Sequence, residues 1–93
     1  MELPINYNEA NFSYRREVRE EYIRLQNGQC QYCDHQLGGP PADSVSRKDI
    51  KTRLFPKNFF KWPIHLHHDH NTGMTIGAVH SYCNAVLWQY HGE

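Results

Sequence analysis

Seven histidines and three cysteines are the chemistry-bearing residues of this 93-residue chain, and their spacing sorts most of them into two groups. Cys30-Gln31-Tyr32-Cys33 is one pair two residues apart, and His80-Ser81-Tyr82-Cys83 is a second pair well downstream. Zinc prefers four tetrahedral nitrogen and sulfur ligands, and ligands two residues apart on a tight turn can both face one ion. The two pairs therefore predict a single Cys3His zinc site made of Cys30, Cys33, His80 and Cys83, which uses every cysteine in the chain. A buried, unliganded Cys83 with His80 merely exposed is the plainer alternative, and it leaves the agreement of count and spacing unaccounted for. Four protein ligands leave no open position for water, so such a zinc is structural and any chemistry must come from elsewhere.

The second group is His65, His67, His68 and His70, with Asp69 among them. A satisfied core histidine explains any one of these, and an adventitious metal binder on an exposed hairpin could explain the run, but four within six residues is dense for either. Imidazole, with an unperturbed pKa of about 6.5, is substantially neutral near physiological pH and can take a proton from water or ligate a metal. A site that needs a base beside a Lewis acid has this composition.

The order His67-His68-Asp69-His70-Asn71-Thr72-Gly73, then Gly77, then His80-x-x-Cys83-Asn84, preceded by Cys30-x-x-Cys33, resembles the HNH endonucleases, most closely their phage endonuclease VII type and the small phage HNH proteins. The resemblance is loose over residues 30–90 and tight over 65–88. It implies a fold of class α+β, a small zinc-stabilised ββα-metal domain arranged like a treble clef, and metal-dependent hydrolysis of DNA phosphodiester bonds. It makes His68 the general base and Asn84 a ligand of a catalytic divalent ion. His67 stands where the family usually has an aspartate metal ligand, and His80 where it usually has a cysteine. Exchanging carboxylate for imidazole removes negative charge from the ion and favours Mn²⁺, Ni²⁺ or Co²⁺ over Mg²⁺. His70 matches a family histidine near the scissile phosphate. The resemblance also implies DNA as partner, a phage origin with packaging proteins as further partners, and the host cytoplasm as location. A non-catalytic zinc-stabilised module that binds DNA or protein is the alternative.

Neighbours on a regular strand face opposite ways, so His67 and His68 can serve one site only at a bulge or a strand end. Regular alternation pairs His65 with His67 instead. The family register is preferred, and the His65/His67 metal pair is the competing assignment.

The elements that must position these residues are legible in outline. From Ser13 to Asn27, Tyr14, Val18 and Tyr22 recur at four-residue spacing with Leu25 following, Ser13 can cap, and Asn27-Gly28 is a stop, which predicts a scaffold helix whose arginines are surface charge. Asp34 to Pro63 holds four of the five prolines and reads as a long loop with room for a short helix. Ile64 to His68 alternates like a strand, Asn71-Thr72-Gly73 is a turn, and Met74 to Val79 is a return strand, together a β-hairpin. Ser81 can cap a closing helix that runs to Gly92, so that residues 64–91 form the ββα core of one domain spanning 1–93; His91 is read as a frayed end.

Ten Lys and Arg balance ten Asp and Glu, yet the balance is local nowhere. Arg47, Lys48, Lys51, Arg53, Lys57 and Lys61 face the single acid Asp49, with Phe55, Phe59, Phe60 and Trp62 interleaved. That stretch is either a solvated loop pinned by its aromatics or a phosphate-binding surface, and we assign DNA contact to its six cations. The apolar set is 39% of the chain, unchanged when the six Tyr are exchanged for the six Gly, against roughly 45–50% in globular domains. The core is thin, and a small domain of this kind usually needs a metal or a disulfide. Three cysteines cannot all pair internally, no run approaches a membrane span, and Met1 to Phe12 does not read as a secretory signal. A cytoplasmic protein is the expectation.

Overall fold

Helix α1, Phe12–Leu25, begins where Asn11 folds its side chain over the first turn and accepts a hydrogen bond from the Tyr14 N–H at 2.8 Å. Asn11 is therefore the cap, and Ser13, the expected one, lies inside the first turn; both types satisfy an orphan N–H, and the one further upstream wins. The helix stops where Asn27 and Gly28 take the left-handed conformation, with φ of 55° and 74°, a common helix end. The computed structural model describes residues 1–92.

Beyond α1 the chain makes a tight turn through Cys30 and Cys33, closed by an isolated pairing of Gln29 with Gln36. The proline-containing segment that follows holds a short helix, α2 at Asp43–Ser46, and a single 3-10 turn at Thr52–Leu54. Strands β1, Ile64–His68, and β2, Thr75–His80, form the antiparallel hairpin. Helix α3, Ser81–His91, follows without a linker and ends on Gly92. Ser81 is its first residue rather than its cap. The cap position belongs to His80, whose ring makes no capping bond because it is turned to other partners described below.

The hairpin is in register from Ile64 opposite His80 to His67 opposite Gly77, after which His68 faces Thr75, so Ile76 is an extra residue on β2. This is a β-bulge, which bends a strand and re-aims its neighbours. The N-terminal segment, which carried no strand signal, lies along the open edge of β2. Asn6 pairs with Met74, the Thr75 N–H donates to the Ile5 carbonyl at 2.9 Å, and the Tyr7 N–H donates to the Gly73 carbonyl at 2.7 Å. An otherwise exposed sheet edge is thereby covered.

Both α1 and α3 pack on both strands. The continuous core joins Leu37, Val45, Ala78, Val79 and Val86 to Cys30 and Cys83. Gly77 is required by a close approach: a Cβ there would lie 2.8 Å from Gln26 Oε1. That side chain clamps β2 to the end of α1, accepting from the Ala78 N–H and donating to the Ala78 carbonyl, each at 2.9 Å. No helix among the described residues is long and apolar enough to cross a membrane.

Candidate functional site

The two cysteine-bearing turns meet. Cys30 opens a loop tied by its own N–H to the His35 carbonyl at 2.8 Å and by the Asp34 N–H to the Cys30 carbonyl at 2.9 Å. That geometry aims the Tyr32 and Cys33 N–H groups at Cys30 Sγ, at 3.4 and 3.5 Å. Across from it, His80 and Cys83 project from the junction of β2 and α3. The sulfurs of Cys30, Cys33 and Cys83 and a ring nitrogen of His80 all lie within 4.8 Å of one another.

The donor set suits zinc. With Zn–S bonds of about 2.3 Å and Zn–N bonds of about 2.0–2.1 Å, a tetrahedron has S···N edges of about 3.6 Å. His80 Nδ1 lies 3.5 Å from Cys33 Sγ and 3.6 Å from Cys83 Sγ. The other nitrogen, Nε2, is 2.8 Å from the Gln36 carbonyl, which only accepts, so Nε2 carries the proton and Nδ1 keeps its lone pair toward the sulfurs. An outer carbonyl that fixes the tautomer of a ligating histidine is the usual partner at metal sites. A hydrogen bond from Cys83, helped by the backbone N–H groups around it, pulls the Cys30 thiol well below the usual thiol range. The same bond, together with burial, pushes Cys83 up.

A cleft of about 670 Å³ lies beside the hairpin. Helix α1 contributes Phe12, Arg15, Arg16 and Arg19; the long loop contributes Leu54, Phe55, Pro56, Phe59 and Trp62; β1 and its turn contribute Ile64, His65, Leu66, His68 and His70; α3 contributes Asn84 and Trp88; and Tyr7 comes from the N-terminal segment. No Asp or Glu is among these described lining residues.

His68 ends β1, half-buried, with its ring parallel to Tyr7 at a centroid distance of 3.9 Å and an interplanar angle of 6°. The Arg15 guanidinium lies 3.8 Å from the centroid of the same tyrosine ring, and two groups that close must take opposite faces. Tyr7 is thus held between a cation and an imidazole, and Arg15 Nε–H further donates to the Tyr7 carbonyl at 3.0 Å. Burial first, then the neighbouring His70 and His67, hold the His68 pKa below the ordinary histidine value. His70 is exposed, its ring 4.9 Å from that of His68. Asp69 serves the turn: its side chain accepts from the Asn71 and Thr72 N–H groups at 2.7 and 3.0 Å.

His65 sits deeper. Its Nε2 is 2.7 Å from the Phe59 carbonyl, and its Nδ1 is 3.1 Å from Asn84 Nδ2. The carbonyl again fixes the proton on Nε2, so Nδ1 accepts from the Asn84 amide. Burial lowers the His65 pKa, which favours this neutral tautomer.

No family model, curated protein or solved structure matches this chain. The geometry stands alone. It gathers Cys30, Cys33, His80 and Cys83 at one point and places His68, His70 and Asn84 on one cleft. His67 is only 2% exposed and does not line that cleft. The bulge that a joint His67/His68 site requires is present opposite those residues, but its extra residue is Ile76 on β2.

The basic stretch divides. Its aromatics Phe55, Phe59 and Trp62 line the cleft, whereas Arg47, Lys48, Lys51, Arg53, Lys57 and Lys61 are all exposed and none lines it. Arg47 turns back to the Asp43 carbonyl at 3.2 Å, and the ammonium groups of Lys48 and Lys61 sit 5.0 and 5.3 Å from the Tyr90 and Trp62 rings. The cations at the cleft are those of α1, read from sequence as plain surface charge. A signal for them exists: Phe12, Arg15, Arg16 and Arg19 fall on one face at helical spacing, while Glu17 and Glu21 fall on the opposite one. Tyr7 had no comparable signal, because its place depends on how the N-terminal segment meets β2.

Proposed function

We propose that this chain is a metal-dependent endonuclease that hydrolyses DNA phosphodiester bonds in the cleft, on a ββα-metal unit braced by a structural zinc. The observation that carries the reading is one imidazole, His68, stacked on Tyr7 at the end of β1 with its pKa lowered by burial, beside His70 and in a cleft that α1 makes cationic. A phosphodiester brings negative charge and needs an attacking water. Arg15, Arg16 and Arg19 supply the charge complement, and His68 accepts the proton as water attacks phosphorus. His70, exposed at the same mouth, would donate to a phosphate oxygen.

Asn84 and a β1 histidine would hold the catalytic divalent ion. His65 fits this role in one respect shared with His80: a backbone carbonyl takes the Nε2 proton and leaves the Nδ1 lone pair, here beside Asn84, whose amide would turn its Oδ1 toward the ion. His67, two residues along the same strand, is the ligand in the family register. Two protein donors, with water and substrate oxygens completing the shell, suit a loosely held Mg²⁺ or Mn²⁺, and imidazole tilts the preference toward Mn²⁺. When bound, such an ion supplies Lewis-acid stabilisation of the phosphate and of the departing 3′-oxygen.

The test is nicking of supercoiled plasmid by zinc-loaded protein with Mn²⁺ or Mg²⁺, beside His68→Ala. Activity that the mutant lacks is expected; no nicking with any divalent metal, or equal nicking by the mutant, refutes the reading. Mn²⁺ titrations of His65→Ala and His67→Ala separate the two ligand assignments, because loss of the true ligand raises the Mn²⁺ concentration needed for half-maximal rate. The second reading, a zinc-braced binding module without catalysis, draws support from the Cys3His set being, among the described residues, the one group of three or more His, Cys, Asp or Glu ligand atoms close enough to share an ion. Binding of DNA with no cleavage under any metal selects it.

A further inference from the structure

The cleft has a second character that phosphodiester hydrolysis alone does not use: six of its seventeen lining residues are Phe, Tyr or Trp, and three of those rings are exposed. Phe12 is 76% exposed, Trp62 57% and Trp88 43%, and all three line the same concavity as the arginines of α1. Phe55 is braced by Phe59, Phe60 and Trp88 at centroid distances of 4.7, 5.9 and 5.5 Å, so Trp88 belongs to a packed aromatic layer. Large rings left in water cost free energy unless a partner covers them.

The charge beside them names that partner. Arg15 and Arg19 are four residues apart on α1 and rise about 6 Å along it; Arg16 flanks them, in a long 3.9 Å ion pair with Glu20. No carboxylate is among the described lining residues. An apolar peptide would leave Arg15 and Arg19 without an acidic counter-charge, and an acidic peptide would leave the rings without stacking partners. A nucleic-acid strand satisfies both, with phosphates along α1 and bases on the rings. The strand must be unpaired. In a duplex the base faces are stacked on one another and closed to protein rings, whereas an unpaired base offers its π-face.

We infer that the cleft binds single-stranded DNA, with Phe12, Trp62 and Trp88 stacking unpaired bases while Arg15, Arg16 and Arg19 take the phosphates, so that the bond presented to His68 belongs to an unpaired or locally opened strand. This rests on the nuclease reading for the role of His68. It does not rest on it for binding.

The experiment measures fluorescence anisotropy of a labelled mixed-sequence oligonucleotide, single-stranded and as the matching duplex, with zinc-loaded full chain and no added Mn²⁺ or Mg²⁺. The single strand is expected to bind at least tenfold more tightly. Phe12→Ala and Trp62→Ala, both at exposed rings, should each weaken single-strand binding about tenfold and leave duplex binding nearly unchanged. Arg19→Ala should flatten the salt dependence by about 0.7 in the logarithmic slope, the amount for one single-strand phosphate contact, and Arg24→Ala, off the cleft and paired with Glu21, should leave it unchanged. Zinc content and thermal melts of each variant verify the fold. Equal or tighter binding of duplex overturns the inference, as does full single-strand affinity in both ring variants. Self-association that buries the rings at the concentrations used also overturns it, since the occupant is then a second copy. Single-strand binding without metal-dependent cutting would sink the nuclease reading and leave this one standing; cutting without strand preference would do the reverse.

Discussion

At the scale of single residues the proposed chemistry turns on which histidine can accept a proton. His68 titrates below the ordinary value near 6.5, chiefly because it is half-buried under Tyr7. A base must be unprotonated to work, so the acid limb of the rate profile should fall below pH 6.5, with activity retained at pH values where a solvated histidine is already charged. Replacing His68 with Ala should cost about 10²–10⁴-fold in nicking rate, the usual contribution of a positioned base. Tyr7→Ala should move the limb upward, toward about 6.5, by opening His68 to water, and Tyr7→Phe should leave it in place because the stack needs only the ring. A Tyr7→Ala profile superimposed on that of the parent would show that the stack does not tune the base. The same depressed values have a consequence for folding. Below about pH 6.5 the unfolded chain binds protons at His65 and His68 that the folded chain resists, so these two groups withdraw stability as pH falls through that range.

At the scale of elements, Gly77 is the position where the side chains of Gln26 and Gln31 press against β2. A methyl group there meets Gln26 Oε1 and the Gln31 side chain at 2.8–3.0 Å, and moving Gln26 breaks both of its bonds to Ala78. Gly77→Ala should therefore destabilise zinc-loaded protein by about 1–3 kcal/mol, read as a lower urea midpoint at unchanged slope. Combined with Gln26→Ala, the two losses should be less than additive, since each removes the same clamp. The hairpin, α3 and the stop of α1 were legible because their signals are local: alternation in Ile64 to His68, a Thr-Gly turn, an Asn-Gly helix end. The meeting of Cys30 and Cys33 with His80 and Cys83 was legible from spacing alone, because ligand geometry constrains the fold rather than following from it. The cleft was not. Whether a cation of residues 47–61 faces solvent or substrate depends on Phe55, Phe59 and Trp62 turning inward, and the cationic face of α1 acquires meaning only when the helix is laid beside β1.

At the scale of the whole molecule, stability is the question that the thin core leaves open. The largest fully buried side chains are Val18, Val79, Val86, Cys30 and Cys83; none exceeds valine in bulk, and two of the five are thiols of the metal cluster. Hydrophobic burial alone gives little margin in so small a domain, whereas a structural zinc ties its binding free energy, of order 10 kcal/mol, directly to folding. The Cys3His cluster also joins the turn after α1 to the junction of β2 and α3, so its loss uncouples the chain at both sides of the core. The two proposed metals should then leave in sequence. Dialysis without divalent metal should abolish nicking, which Mn²⁺ restores, while the far-UV circular dichroism and one equivalent of zinc persist, because an ion held by only two protein donors exchanges freely. Excess strong chelator should then remove that zinc and with it the cooperative thermal transition, as should Cys30→Ser, which takes one ligand out of the buried set. If the zinc-free protein instead kept a sharp melt near that of the zinc form, the apolar core around Leu37, Val45, Val79 and Val86 would be holding the fold by itself. The cluster of Cys30, Cys33, His80 and Cys83 would then have to be read as something other than its brace.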